Sequence, residues 1–170
     1  DQMLALDVAA RAIEDSGYEP SDLAAGRTAV VLGRGNYIGA GMTRLEQHVR
    51  TAEQLATSLK DLIPGLEASV LADVKNEFQE KLGAYGSDTA IGLVPNLTAS
   101  RIANRLDLKG PAYTVDGACA SSLLAIDQCV QMLRSGRCDA AIAGGVHLSH
   151  DVAFWSVFCQ LGALSRAQEI

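Results

Sequence analysis

Residues 112–145 read AYTVDGACASSLLAIDQCVQMLRSGRCDAAIAGG, and the fold turns on how they are parsed. Ala112 to Gly117 has the β-branched and aromatic content of a strand. Ala120 to Ser135 repeats apolar residues at helical spacing with Gly136 beyond its end, and Asp139 to Ala143 is a second apolar strand stopped by Gly144-Gly145. Strand, helix and strand within about 30 residues form a βαβ unit, which makes the two strands parallel and predicts a right-handed crossover. Leu123, Ile126, Val130 and Leu133 mark one face of the helix, and Leu124, Ala125, Cys129 and Met132 make the rest apolar as well. The pattern predicts a central helix covered on most sides.

Upstream, Thr28 to Leu32 is a short apolar run ended by Gly33-Arg34-Gly35, as expected of a strand buried on both faces. Leu4, Val8 and Ala12, with Leu6, Ala9 and Ile13 beside them, predict an amphipathic first helix up to Gly17; Glu19-Pro20-Ser21-Asp22 reads as a turn. Leu45, Val49, Ala52, Ala56, Leu59 and Ile63 keep a helical rhythm. After Pro64-Gly65, Val70, Val74 and Phe78 keep another, so two helices pack as a hairpin. Their Glu, Lys, Arg and Gln positions form a solvated face, with a partner-docking surface as the alternative. Leu97 to Leu108 is a short helix closed by Lys109-Gly110-Pro111. Alternation of strands and helices places the chain in the layered α/β class.

Composition narrows the functions available. The 170 residues are 48% hydrophobic and 20% charged, with 14 Lys and Arg against 20 Asp and Glu for a net charge of −6. No excess of positive charge exists to neutralise a nucleic-acid backbone. The longest uncharged run, Val152 to Ser165, falls short of the roughly 20 apolar residues a membrane-spanning helix needs, so no span is expected. The chain opens on Asp1-Gln2-Met3 with a charged helical pattern rather than a targeting segment, and a cytoplasmic location is the expectation. Cys119, Cys129, Cys138 and Cys159 show neither Cys-x-x-Cys pairing nor zinc-finger histidine spacing, which predicts reduced thiols and no metal site.

Gly117-Ala118-Cys119-Ala120-Ser121-Ser122 holds the candidate chemistry. A thiol where a strand gives way to a helix meets the first helix amides, which favour an anion and could stabilise an oxyanion when Cys119 attacks a carbonyl. Small neighbours let a substrate approach. The competing reading makes Cys119 an inert apolar filler, as is expected for Cys129, Cys138 and Cys159. His147 and His150, three apart beyond Gly144-Gly145, form only a weak metal or base pattern and are read as structural or surface residues; His48 is expected to face solvent.

Thr114-Val115-Asp116-Gly117-Ala118-Cys119-Ala120-Ser121-Ser122-Leu123-Leu124-Ala125 resembles the active-site segment of β-ketoacyl synthases, the condensing enzymes of fatty acid and polyketide assembly. Ser100 to Leu106, Leu108 to Pro111, Leu133 to Asp139 and Ala143 to Val146 follow in the family's order and approximate spacing, and Asp1 to Gly17 resembles its opening helix. Residues 41–90 are the least distinctive. The nearest likeness is to synthase domains of modular or iterative polyketide and polyunsaturated fatty acid synthases, including enediyne-type systems. Gly117 and Ala120 depart from the family pattern, small for small.

The resemblance implies a thiolase-like layered fold, with residues 1–170 as its N-terminal half and a mixed, largely parallel sheet covered by helices. It implies that Cys119 takes an acyl group from acyl carrier protein. The group is then condensed with a malonyl-type extender, assisted by two histidines expected beyond Ile170. The resemblance also implies that both substrates ride on the carrier's phosphopantetheine, and the expectation is that this segment binds no cofactor or metal. Implied partners are acyl carrier protein, acyl and malonyl-type thioesters, a second copy in a homodimer and neighbouring synthase domains. A cysteine-nucleophile thioester hydrolase and a non-catalytic structural half or partner subunit are the alternatives.

Overall fold

The computed structural model describes residues 1–36 and 39–167, which divide into two compact units: residues 1–36 with 94–148, and 39–93 with 149–167. In the first unit, helices α1 (Gln2–Ser16), α2 (Pro20–Ala25), α7 (Leu97–Arg105) and α8 (Ser121–Arg134) surround strands β1 (Thr28–Gly33), β2 (Ala112–Val115) and β3 (Ala140–Gly145). All three strands are parallel, in the order β2-β1-β3. The βαβ unit predicted from residues 112–145 is therefore present, but its crossover skips a strand, because β1 lies between β2 and β3.

That central place explains the unbroken apolar run of β1, every residue of which is buried. Successive side chains point to opposite faces of the sheet. Val30 and Leu32 join Ala5, Ala9, Ala99, Ile102, Ala103 and Leu108 on the α1–α7 side. Ala29 and Val31 join Ala125, Cys129, Met132 and Cys138 on the α8 side. Helix, sheet and helix form three layers.

Two predicted helix faces are corrected. In α1 the buried stripe is Ala5, Ala9 and Ile13, whereas Leu4 and Val8 are exposed. In α8 the buried stripe is Ala125, Cys129 and Met132, and Leu123, Ile126 and Leu133 are exposed; the helix is covered by the sheet on one face, not on most sides. The reason is the same in both. Helical periodicity allows adjacent stripes, and the smaller side chains let each helix approach its neighbour closely enough to exclude water. Glu19-Pro20-Ser21-Asp22, read as a turn, instead begins α2. Pro20 stands in its first turn, and the Glu19 amide donates to Asp22 Oδ2.

Below the site, at the amino ends of the strands, Arg27 ties β1 to β3. Its Nη2 and Nε donate to the two Asp139 carboxylate oxygens at 2.8 and 3.1 Å, and its amide adds a third bond at 3.0 Å. The Arg27 side chain, then its amide, hold the Asp139 carboxyl below the ordinary value of 3.8. A depressed carboxyl stabilises the fold above its unfolded pKa, and the contribution fades as pH falls through the folded value. Urea midpoints measured from pH 6 to pH 2 are therefore expected to decline on the acid side, with a shallower decline in Asp139→Asn.

The second unit holds α3 (Ala40–Glu46), a π turn (Gln47–Thr51), α4 (Ala52–Leu62), α5 (Ala68–Leu82), α6 (Ser87–Gly92) and α9 (Val152–Gln160). The predicted hairpin of residues 45–82 is present as α4 against α5, linked by Lys75 and Glu53 at 2.6 Å. Within the π turn the His48 carbonyl accepts from Gln79 Nε2 at 2.7 Å. His48, expected to face solvent, is half-buried, with Nε2 at 2.9 Å from the Gly83 carbonyl oxygen. No helix among the described residues is long and apolar enough to cross a membrane.

Candidate active site

Cys119 lies in a single 3₁₀ turn, Ala118–Ala120, between the carboxyl end of β2 and the first residue of α8, and it is exposed. Carboxyl ends of parallel strands are where open α/β sheets place their ligands, because the chain leaves the sheet there and opens a crevice. The thiol is therefore reachable, and the buried-filler reading fails at this position.

Close packing of backbone sets the start of α8. A Cβ placed on Gly33, the last residue of β1, would stand 2.4 Å from the Ser121 carbonyl carbon and 2.5 Å from the Ser122 nitrogen. One on Gly145, at the end of β3, would stand 2.9 Å from Ser122 Cβ. The helix start is thus wedged onto two strand ends at a distance only glycine permits. These glycines lie far from Cys119 in the sequence, and turn chemistry was the only visible signal they carried.

Between sheet and helix the backbone is strained. Ala118 has φ of +51°, a left-handed conformation costing a side-chain-bearing residue roughly 1–3 kcal/mol. Around it the polar groups are paired: the Gly117 amide donates to Ser121 Oγ at 2.9 Å and the Ala118 amide to Asp116 Oδ1 at 2.9 Å. The Ala120 amide donates to the Gly117 carbonyl, and the Ser121 amide to that of Ala118. The expectation that free helix amides surround the sulfur is corrected accordingly. Among the described residues no hydrogen bond is recorded from the amide of Cys119 itself, so this N–H could donate to an oxygen brought to the thiol. The Asp116 carboxyl, accepting from the Ala118 and Asn36 amides, sits below its ordinary value.

The other thiols divide differently from the expectation. Cys129 and Cys138 are buried core residues as predicted, and burial pushes the Cys129 thiol up. Cys159 is exposed rather than buried, because α9 turns its Phe154 inward and leaves the cysteine outward. Alkylation of the native chain is thus expected to modify Cys119 and Cys159 within minutes. Cys129 and Cys138 should react only after denaturant is added, as read by peptide mass. Burial removes both the thiolate and access to it.

No cluster of His, Cys, Asp or Glu among the described residues could hold a metal ion. His147 and His150 are both exposed, and the His150 ring stacks on Trp155 at 5.9 Å, a surface role as expected. All four cysteines are free thiols.

The chain matches, over residues 1–170, the family model described as Beta-ketoacyl synthase, N-terminal domain. It is 34% identical over 164 residues to the 6-methylsalicylic acid synthase of Aspergillus niger, covering 96% of this chain and 7% of that protein. It is 33% identical over 126 residues to a highly reducing polyketide synthase of Leptosphaeria maculans, covering 72% of this chain and 5% of that one. In three dimensions it is similar to the ketosynthase from module 6 of the bacillaene synthase from Bacillus subtilis 168. There the TM-score is 0.60 and the identity 25%, over 96% of this chain and 21% of that one.

Proposed function

We propose, for a chain that belongs to the β-ketoacyl synthase family, that it serves as the acyl-accepting part of a ketosynthase in polyketide assembly, with Cys119 as the acceptor. The observation that carries this reading is the exposed sulfur on a strained strand-to-helix turn, within the segment that resembles the family's active-site sequence. In the proposed step, Cys119 Sγ attacks the thioester carbonyl of an acyl group borne on the phosphopantetheine of acyl carrier protein. The Cys119 amide donates to the oxygen as charge collects there, the carrier's sulfur leaves and takes the proton that the Cys119 thiol gave up, and the acyl group stays as a thioester on Cys119.

Condensation is the second half of the proposal. A malonyl-type thioester loses carbon dioxide, its enolate carbon bonds to the Cys119-bound carbonyl, and the cysteine sulfur departs. That step needs donors to the extender's thioester oxygen, which we assign to residues outside 1–170. The chain spans 5–7% of the length of the curated relatives described above. Homodimerisation and contact with neighbouring synthase domains belong to the same proposal and rest on the resemblance to the family; a cytoplasmic location is proposed from the sequence reading.

Incubation with an acyl carrier protein thioester, followed by peptide mass analysis, tests the reading. A stable acyl mass on Cys119 is expected. Rapid release of free acid would instead favour a thioester hydrolase, and no adduct at any thiol would favour a structural half.

A further inference from the structure

Ala118, the residue before the nucleophile, is gripped at both of its peptide groups by side chains. Its amide donates to Asp116 Oδ1 at 2.9 Å, and its carbonyl accepts from Ser121 Oγ at 2.7 Å. The same hydroxyl accepts from the Gly117 amide at 2.9 Å, and the second Asp116 oxygen accepts from the Asn36 amide at 2.8 Å. Ser121 is 5% exposed, so its hydroxyl has little access to water as an alternative partner.

These bonds run in an informative direction. A serine at a helix start ordinarily caps it by accepting from amides two or three residues ahead. Ser121 Oγ instead turns backward, onto Gly117 and Ala118, where the chain is in an unfavourable conformation. From this arrangement we infer that Asp116 and Ser121 are positioning residues for Cys119. Together they pin Ala118 in its left-handed conformation and thereby fix the direction in which the sulfur leaves the backbone. Asp116 also fastens the turn to the segment following β1, so the elbow is held from the strand side and from the helix side. The inference rests on the reading of Cys119 as the acyl acceptor; neither residue takes part in the chemistry itself.

Cys159 provides an internal standard, being exposed and in the other unit. The test is the ratio of alkylation rates of Cys119 and Cys159 within one molecule, measured by peptide mass beside the thermal unfolding midpoint. Ser121→Ala is expected to lower the ratio about tenfold, since small misplacements of a reacting group are costly. The Cys159 rate should stay unchanged. Ser121→Thr, which keeps the hydroxyl, should restore most of the ratio, and Asp116→Asn should give an intermediate loss. Acylation of Cys119 should fall in parallel. An unchanged ratio in both Ser121→Ala and Asp116→Asn overturns the inference, as does a Ser121→Thr ratio as low as that of Ser121→Ala. If Ser121→Ala does not fold, the exposed Asp116→Asn and Asp116→Ala decide by the same ratio. If the unaltered chain takes no acyl group while the variant ratios still fall, the positioning role stands and the acyl-acceptor reading fails.

Discussion

Under the proposed acceptor role, Cys119→Ala is expected to lower loading from an acyl thioester by at least about 10³-fold, to the background of the remaining thiols. The expectation follows from geometry and competition together. Cys129 and Cys138 are enclosed by the core, and Cys159 is exposed on α9 without a strained turn beside it. Removing the sulfur at residue 119 removes the one reachable thiol that has a backbone donor beside it. Because the side chain is exposed, stability should stay within about 0.5 kcal/mol of the parent, so a lost adduct cannot be blamed on unfolding. Peptide mass after timed exposure to the thioester reads the outcome. An adduct forming on Cys159 as fast as on Cys119 in the unaltered chain would remove the special standing of the turn.

Gly33→Ala is expected to cost about 3 kcal/mol or more, a change of more than about 100-fold in the folded-to-unfolded ratio. The new Cβ would lie 2.4, 2.5 and 2.6 Å from three backbone atoms of Ser121 and Ser122. Backbone in the first turn of a packed helix has nowhere to move without lifting α8 from the sheet. Gly144→Ala provides the control. Its Cβ would meet only Leu32 Cδ2 at 3.8 Å, an ordinary contact, and the change should stay within about 1 kcal/mol. Urea denaturation of the two variants compares them directly, and equal midpoints would refute the wedge. The Gly33 variant, where it folds, should also show slower Cys119 alkylation, because the displaced helix start carries the turn with it.

Much of this architecture was legible in residues 28–33 and 112–145. A short apolar run flanked by glycines can be buried on both faces only as a central parallel strand, and β1 is that strand. The strand-to-helix setting of Cys119 was legible too, because small neighbours and the change from strand to helix are local properties. What periodicity could not decide was which of two neighbouring stripes a helix buries. In α1 the larger Leu4 and Val8 lose to Ala5 and Ala9, and in α8 Leu123 and Ile126 lose to Ala125 and Cys129. Hydrophobicity ranks the bulkier residues first, but the approach distance between layers favours the smaller ones. His48 and Cys159 differ from expectation for separate reasons: the His48 ring meets the Gly83 carbonyl, distant in the chain, whereas on α9 it is Phe154 that takes the buried face and Cys159 stays exposed.

The amino-acid order alone determined the class of fold, the strand-helix-strand unit and the placing of Cys119 where strand gives way to helix, since each depends on residues within a few positions of one another. Tertiary structure decided the rest: that β1 separates β2 from β3, that Gly33 and Gly145 seat the helix start, and that Asp116 and Ser121 hold the strained Ala118. Those facts depend on distances between segments that only the folded chain brings together, and no local pattern encodes a distance across space.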